Sequence, residues 1–135
     1  MGTDDRFKDW KSPMIEEAKL TKWNWLVQNT DGLKLGKKTD IGAFTYINAK
    51  HGVRIDDEAQ IGSHCSIYSE NTIDGTKGEV HIGKKACLGS HSVILPGVSI
   101  GDRTVVGAFS LVNKDLPPDV IAFGVPAKIV RRRDD

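Results

Sequence analysis

The sequence predicts an all-β chain made of short flat segments stacked in coils, and three observations carry that prediction. Through residues 80–112 an aliphatic side chain returns at every sixth position: Ile82, Leu88, Ile94, Ile100, Val106 and Val112. Glycine follows four of these six at once (Gly83, Gly89, Gly101, Gly107). Two positions before each aliphatic residue stands a second column of small or β-branched residues, including Val80, Ala86, Ser92, Val98, Thr104 and Ser110. Neither a helix at period 3.6 nor an alternating strand at period 2 gives a repeat of six, whereas a fixed short repeat is the signature of a stacked array. One large and one small residue per segment is what a narrow interior accepts.

In chain order, residues 1–11 are polar and read as a loose arm that Phe7 and Trp10 dock somewhere. Ser12 and Pro13, a capping serine and a proline at the first helical position, predict a short helix over 13–20. Trp23 to Val27 reads as a strand, followed by a turn over 29–32. Residues 1–32 are therefore expected to cap the first coil or to make subunit contacts, with a substrate lid as the alternative, and residues 33–135 to hold about four coils and a closing strand.

The aliphatic ladder runs backwards through Leu35, Ile41, Ile47, Ile55, Ile61, Ile67 and Ile73. Its small column continues through Thr39, Thr45, Val53, Ala59, Cys65 and Asn71. The register breaks twice, from Ile47 to Ile55 (eight residues) and from Ile73 to Ile82 (nine). Extra residues in a stack go outward at a corner, so 48–53 and 74–79 are where chemistry is expected. Asp115 to Pro118 is expected to stop the ladder, since proline cannot donate to it. A turn and a last strand over 121–130 and a basic–acidic tail follow.

Nineteen Lys and Arg against eighteen Asp and Glu leave a net charge of +1, so no global field draws nucleic acid or membrane. No apolar run is long enough for a membrane span and the N-terminus does not resemble a signal peptide, which predicts a cytoplasmic protein. Cys65 and Cys87, on or next to the inner column, are read as buried reduced thiols and not as a disulfide or metal pair.

Repeats such as IGAFTY, IGSHCS and IGDRTV resemble the hexapeptide-repeat acyltransferases. The ending ILPGVSIGDRTVVGAFSLVNKDLPPDVIAFGVPAKIV resembles the C-terminal half of their sugar acetyltransferases. The resemblance implies a left-handed parallel β-helix, a departure from the right-handed crossover rule. It also implies a homotrimer binding acetyl-CoA between neighbouring subunits. The stretch from FTYINAKHGVRI to IGSHCSIYSENTIDGTKGEVHIG is most similar to small enzymes that N-acetylate nucleotide-linked amino-deoxy sugars, as in surface-polysaccharide sugar biosynthesis.

Acyl transfer needs a group to take the nucleophile's proton, and histidine is the usual base. His51 lies in the first outward break. Some relatives carry a catalytic histidine at this offset and follow it with glutamate; here Gly52 follows, so a partner must come through space from Asp56, Asp57 or Glu70. His64 and His91 share one phase, three after the aliphatic residue, pointing outward. His81 reads as a surface residue. Tyr46, His64, Glu70, Asn71, Asp74 and His91 are the candidate substrate contacts, and Asn71 alternatively bonds the backbone at a corner. The resemblance suggests Gly89, Ser90 and Ala108 for the pantetheine arm and Lys114, Lys128 and Arg131 for the phosphates of the cofactor.

Galactoside- and chloramphenicol-type relatives place their catalytic histidine in the loop matching 69–78, which has none here. That favours an amine acceptor over an alcohol. Gamma-class carbonic anhydrases share the fold, but the histidines at 51, 64, 81 and 91 contain no pair five apart, so no metal is expected. A galactoside-like O-acetyltransferase and a non-catalytic trimeric scaffold remain the alternatives. The sequence leaves open the sugar, its nucleotide, the ring position acylated and the acyl chain.

Overall fold

The computed structural model describes residues 7–134. Among these the chain forms no α-helix; short strands stack in parallel on three faces. Face A carries Leu26–Gln28, Tyr46–Asn48, Ser66–Tyr68, Val93–Ile94 and Leu111–Val112. Face B carries Leu33–Leu35, Val53–Ile55, Val80–Ile82 and Ser99–Ile100. Face C carries Asp40–Ile41, Gln60–Ile61, Cys87–Leu88, Val105–Val106 and Val120–Gly124, and Ala127–Arg132 closes it antiparallel. The chain visits A, B and C in turn, so the β-helix is triangular and rises about five rungs toward its C-terminus.

The two sequence columns are the interior. Ile47, Ile55, Ile67, Ile82, Ile94 and Ile100 are fully buried, and Ala59, Cys65, Val80 and Ala86 fill the space beside them. Hydroxyls in the small column are satisfied by backbone carbonyls: Thr45 Oγ1 donates to Gly62 O (2.9 Å) and Ser92 Oγ to Gly107 O (3.2 Å). A buried hydroxyl without such a partner would be costly. Cys65 is buried, and burial pushes its thiol pKa up. Cys87, by contrast, points to the outside of face C and is only half-buried, because it stands one residue from the inward Leu88 and strand side chains alternate.

Two corners turn through residues in the left-handed region that are not glycine. Lys38, Glu58, Lys85, Arg103 and Asp119 stand at the B-to-C corner; Asn24, Phe44, His64, His91 and Phe109 stand at the C-to-A corner, with φ between 55° and 66°. A left-handed residue costs about 1–2 kcal/mol. The stack holds them there: His64 N–H donates to Ala43 O (2.9 Å), His91 N–H to Ser63 O (3.0 Å) and Glu58 N–H to Lys37 O (2.9 Å). None of them is β-branched, as that conformation requires. The glycines after the aliphatic residues answer a different demand. Gly62, Gly83 and Gly89 do not have positive φ; a Cβ on Gly62 would lie 2.7 Å from Ser90 N, and one on Gly83 2.7 Å from Asp102 N. Close approach of the next coil, and not a positive φ, fixes glycine there.

Four expectations need correction. Residues 13–20 form no helix. A helix of eight residues has little stability of its own, and here tertiary partners win: Ala18 N–H donates to Val27 O (2.8 Å), and the Glu17 carboxylate accepts from Asn29 and Thr30 N–H (2.7 and 2.8 Å). These bonds hold Glu17 below the ordinary carboxylate range. The strand expected over 23–27 is shorter and later, Leu26–Gln28, and forms the first rung of face A. Ile73 is outside the ladder, 92% exposed, because the chain leaves the stack at Glu70 and returns at Val80. The break there is 82 − 67 = 15 residues, nine more than one repeat. Finally, Pro117 and Pro118 do not end the stack. Leu116 still fills the face B position beside Ile100, and face C gains another rung after it.

Candidate active site

The A-to-B corner is where the coil is irregular. From the face A aliphatic to the face B aliphatic the chain takes 35 − 27 = 8, 55 − 47 = 8, 82 − 67 = 15 and 100 − 94 = 6 residues. The corner over 48–52 therefore bulges slightly, and directly above it the hairpin Glu70–Asn71/Thr76–Lys77 projects outward. His51 stands between the two.

Its ring is fixed by the hairpin. His51 Nε2 lies 3.0 Å from Glu70 Oε1, and Lys50 Nζ lies 3.5 Å from Glu70 Oε2. The His51 backbone N–H donates to Ser69 Oγ (3.0 Å), and Ser69 Oγ donates to Asn48 Oδ1 (3.3 Å). The His51 bond, followed by the Lys50 charge, holds the Glu70 carboxyl below its ordinary value, so it is a carboxylate that only accepts. The proton of neutral His51 is then on Nε2, and Nδ1 is left with its lone pair turned away from Glu70. Glu70 is thus the through-space partner. Asp56 is engaged by His81 (Nε2 to Oδ2, 2.7 Å), and Asp57 accepts from Lys37 N–H (2.8 Å).

Of the candidate contacts, Tyr46 and Asn71 accompany this pair. Tyr46 is on the outer side of face A beside Tyr68, with ring centroids 5.7 Å apart, and its hydroxyl donates to Gln28. Asn71 Oδ1 accepts from Ile73 N–H (3.1 Å), which caps the hairpin turn. Asp74 sits at the hairpin tip, where bonds from Thr76 N–H (3.0 Å) and Oγ1 (2.8 Å) lower its pKa. His64 and His91 stand at the opposite end of face A. Their rings stack 4.8 Å apart at 1°, the spacing of neighbouring rungs. Phe44 and Phe109 extend the column below and above, 5.4 Å from His64 and 4.7 Å from His91.

The cofactor candidates divide. Gly89 and Ala108 line a shallow groove of about 380 Å³ on the outside of face C, between Gln60 and Gly107. Ser90 follows at its edge, with its carbonyl accepting from Phe109 N–H (2.9 Å). Lys128 and Arg131 lie on the closing strand at the upper end of that face, both exposed, and Arg131 is within 4.0 Å of Asp134. Lys114 is away from them, just past the last rung of face A.

Sequence reasoning missed three features. Ser69 stands two after Ile67, as the buried Ala49 stands two after Ile47, which marks it as an inner position. Phe44 and Phe109 share the phase of His64 and His91, three after Ile41 and Val106, so the exposed ring column was visible in the spacing. His81 is not a bare surface residue; Arg54 Nη2 (3.1 Å) and Asp56 hold it on the outside of face B. Among the described residues no three His, Cys, Asp or Glu side chains are grouped to hold a metal ion, and no helix is long and apolar enough to cross a membrane.

Comparison with known proteins agrees with the fold. The bacterial transferase hexapeptide family (six repeats) matches residues 79–114. The galactoside O-acetyltransferase of Escherichia coli (strain K12) is 36% identical over 74% of this chain and 57% of its own length. The chain thus spans little more than half of that relative. A hexapeptide-repeat acetyltransferase of Vibrio cholerae, solved with acetyl-CoA, superposes with a TM-score of 0.77 at 28% identity, covering 82% of this chain and 66% of that one. AntD of Bacillus cereus, an N-acyltransferase solved with dTDP-4-amino-4,6-dideoxyglucose and coenzyme A, superposes with a TM-score of 0.60 at 26% identity, covering 83% and 72%. The six-residue repeat, the three-faced stack and the solved relatives agree: the chain carries the bacterial transferase hexapeptide repeat over residues 79–114 and shares the fold of the hexapeptide-repeat acetyltransferases it resembles.

Proposed function

We propose that this chain is an acetyl-CoA-dependent acetyltransferase that acetylates an amino group on a nucleotide-linked amino-deoxy sugar. The observation that carries the reading is the His51–Glu70 pair at an outward corner, a histidine whose Nε2 lies 3.0 Å from a carboxylate oxygen and whose Nδ1 is not engaged by Glu70. His51 Nδ1 accepts the proton as the sugar nitrogen bonds to the thioester carbon, and returns it to the sulfur as the carbon–sulfur bond breaks. Glu70 stabilises the imidazolium between those two events. Backbone amides of the coil polarise the carbonyl. The amine attacks the thioester directly, so the mechanism uses neither the buried Cys65 nor the half-buried Cys87 as an acyl carrier.

The groove on face C supports the donor side of the reading. Its lining of Gly62, Gly89, Gly107 and Ala108 leaves room for a slender pantetheine arm, and Lys128 and Arg131 lie toward the end where phosphates would go. In a triangular coil the A-to-B corner is the vertex opposite face C, with the core between them. One copy therefore does not bring His51 to its own groove. A homotrimer in which the groove of one subunit faces the His51 corner of the next satisfies both, and makes each active site the work of two copies. Such a protein would work in the cytoplasm, where acetyl-CoA is made available.

A second reading, O-acetylation of a galactoside-like hydroxyl, is favoured by one observation: a paired histidine is a competent base for an alcohol too. Thiol release from acetyl-CoA, measured across amino-sugar nucleotides and simple galactosides, separates the readings. The expected result is release with an amino-sugar nucleotide and a product that resists hydroxylamine, as an amide does. Release only with galactosides, giving a hydroxylamine-labile ester, overturns the amine reading. Silence across the panel, with no acetyl-CoA binding, leaves the scaffold.

A further inference from the structure

A second concavity lies at the foot of face C, where the arm over 7–13 crosses the first coil. It encloses about 570 Å³, the size of a small-ligand pocket. Trp10, Trp23 and Trp25 wall it, Lys11 and Lys22 stand at it, and Asp40 joins it to the groove above. Two of its walls are fixed: the Trp10 indole N–H donates to Thr39 O (2.9 Å), and Trp25 is 3% exposed in the base of the core. Trp23 is 49% exposed, with the Lys22 ammonium 5.6 Å from its ring centre.

We propose that this cavity binds the nucleoside diphosphate portion of the acceptor, an inference that rests on the nucleotide-sugar reading above. A half-exposed indole offers a flat face for a base, and the Lys22 ammonium that lies over this ring is a cation within reach of the pyrophosphate of a nucleotide stacked there. Lys11 is a second cation of the lining, which also carries the carboxylates of Asp9 and Asp40. The height is right as well. His51 lies between the Ile47 and Ile55 rungs, which on face C is the level between Ile41 and Ile61, and Ile41 is part of the cavity wall. In a trimer with its axis along the stack, a neighbour's His51 faces the top of this cavity. A nucleotide seated in it presents its sugar upward to that base, and the thioester comes down the groove to meet it.

All three tryptophans of the chain line this cavity, so tryptophan fluorescence, excited selectively so that Tyr46 and Tyr68 stay dark, reports on it. Titration of the full chain with dTDP and UDP is expected to give a saturable change, weakened by Lys22→Gln and by Trp23→Ala. Both residues are on the surface, so the two variants are expected to fold. In turnover, Trp23→Ala is expected to raise KM for the nucleotide sugar about tenfold or more relative to KM for acetyl-CoA. No fluorescence change with either nucleotide, while nucleotide sugars are still acetylated, overturns the cavity and keeps the function. A change with coenzyme A but not with dTDP or UDP overturns it and assigns the cavity to the donor. A change on dilution alone, with no nucleotide effect, overturns it in favour of a second copy as occupant. Saturable binding lost in both variants, without acetyl transfer to any amino-sugar nucleotide, upholds the cavity and removes the transferase reading instead.

Discussion

Replacing Glu70 by glutamine is expected to slow acetyl transfer by roughly 10²-fold, and His51→Ala by roughly 10²- to 10⁴-fold, the range for losing a general base. Glutamine keeps the size of the side chain but brings an N–H₂ group that donates where the carboxylate only accepted. Facing His51 Nε2, that group favours the tautomer with its proton on Nδ1, and the nitrogen that should take the amine proton no longer has a lone pair. The effect belongs in kcat, because the interaction is used in the transition state and not in holding the acceptor. The pH dependence has a definite sign. The His51 bond, aided by Lys50, depresses the Glu70 pKa. The pair is therefore complete above the ordinary glutamate range and is lost as pH falls through the lowered folded value. Steady-state kinetics of the wild type and both variants with one amino-sugar nucleotide check this. Unchanged kcat in Glu70→Gln would mean that the pair serves only to fold the corner.

Gly62→Ala is expected to destabilise the chain by about 3 kcal/mol, at the upper end for overpacking. The added Cβ would meet Ser90 N at 2.7 Å, with Leu88 O and Ser90 Cα each 3.0 Å away, all backbone of the coil above. That coil cannot retreat without breaking the bonds on which the rung depends, among them Gly62 N–H to Leu88 O at 2.8 Å. Gly75→Ala is the contrast. At Gly75 φ is +77° and nothing lies within 4 Å of a built Cβ, so only conformational strain of about 1 kcal/mol applies. Denaturant titration of the two variants separates the causes. If Gly62→Ala cost no more than Gly75→Ala, the coil above would be giving way, and coil spacing would not be what fixes glycine at Gly62.

The interior was legible because a rung imposes the same demand every time. Each flat segment turns one large and one small side chain inward, so Ile55 to Ile61 repeats what Ile94 to Ile100 does, and the eye needs only the period. The corners are legible in phase but not in meaning. His64 and His91 show by spacing that they point outward, yet that four rings form one column depends on stacking between coils twenty or so residues apart. What leaves the stack is least legible. Ile73 kept the period by coincidence, because the spacing of a hairpin is set by its own turn and not by the rungs around it. The Glu70 partner of His51 is nineteen residues away in sequence and adjacent only because one bulge lies over another. The false helix over 13–20 shows the same limit from the other side: Ser12 and Pro13 are sound local signals, and two carboxylate bonds from Glu17 together with one backbone bond from Ala18 outweigh them.

A mixing experiment tests most directly the claim that one active site is built from two copies. His51→Ala removes the base from one chain. Ala108→Trp fills the groove of another, leaving its base intact. Each variant alone is expected to be inactive. Unfolded together and refolded in equal amounts, they are predicted to recover activity at about a quarter of sites, wherever an intact groove meets an intact His51 from its neighbour. No recovery, with trimers formed and each variant folded, would contradict the shared site and put base and groove to work within a single chain.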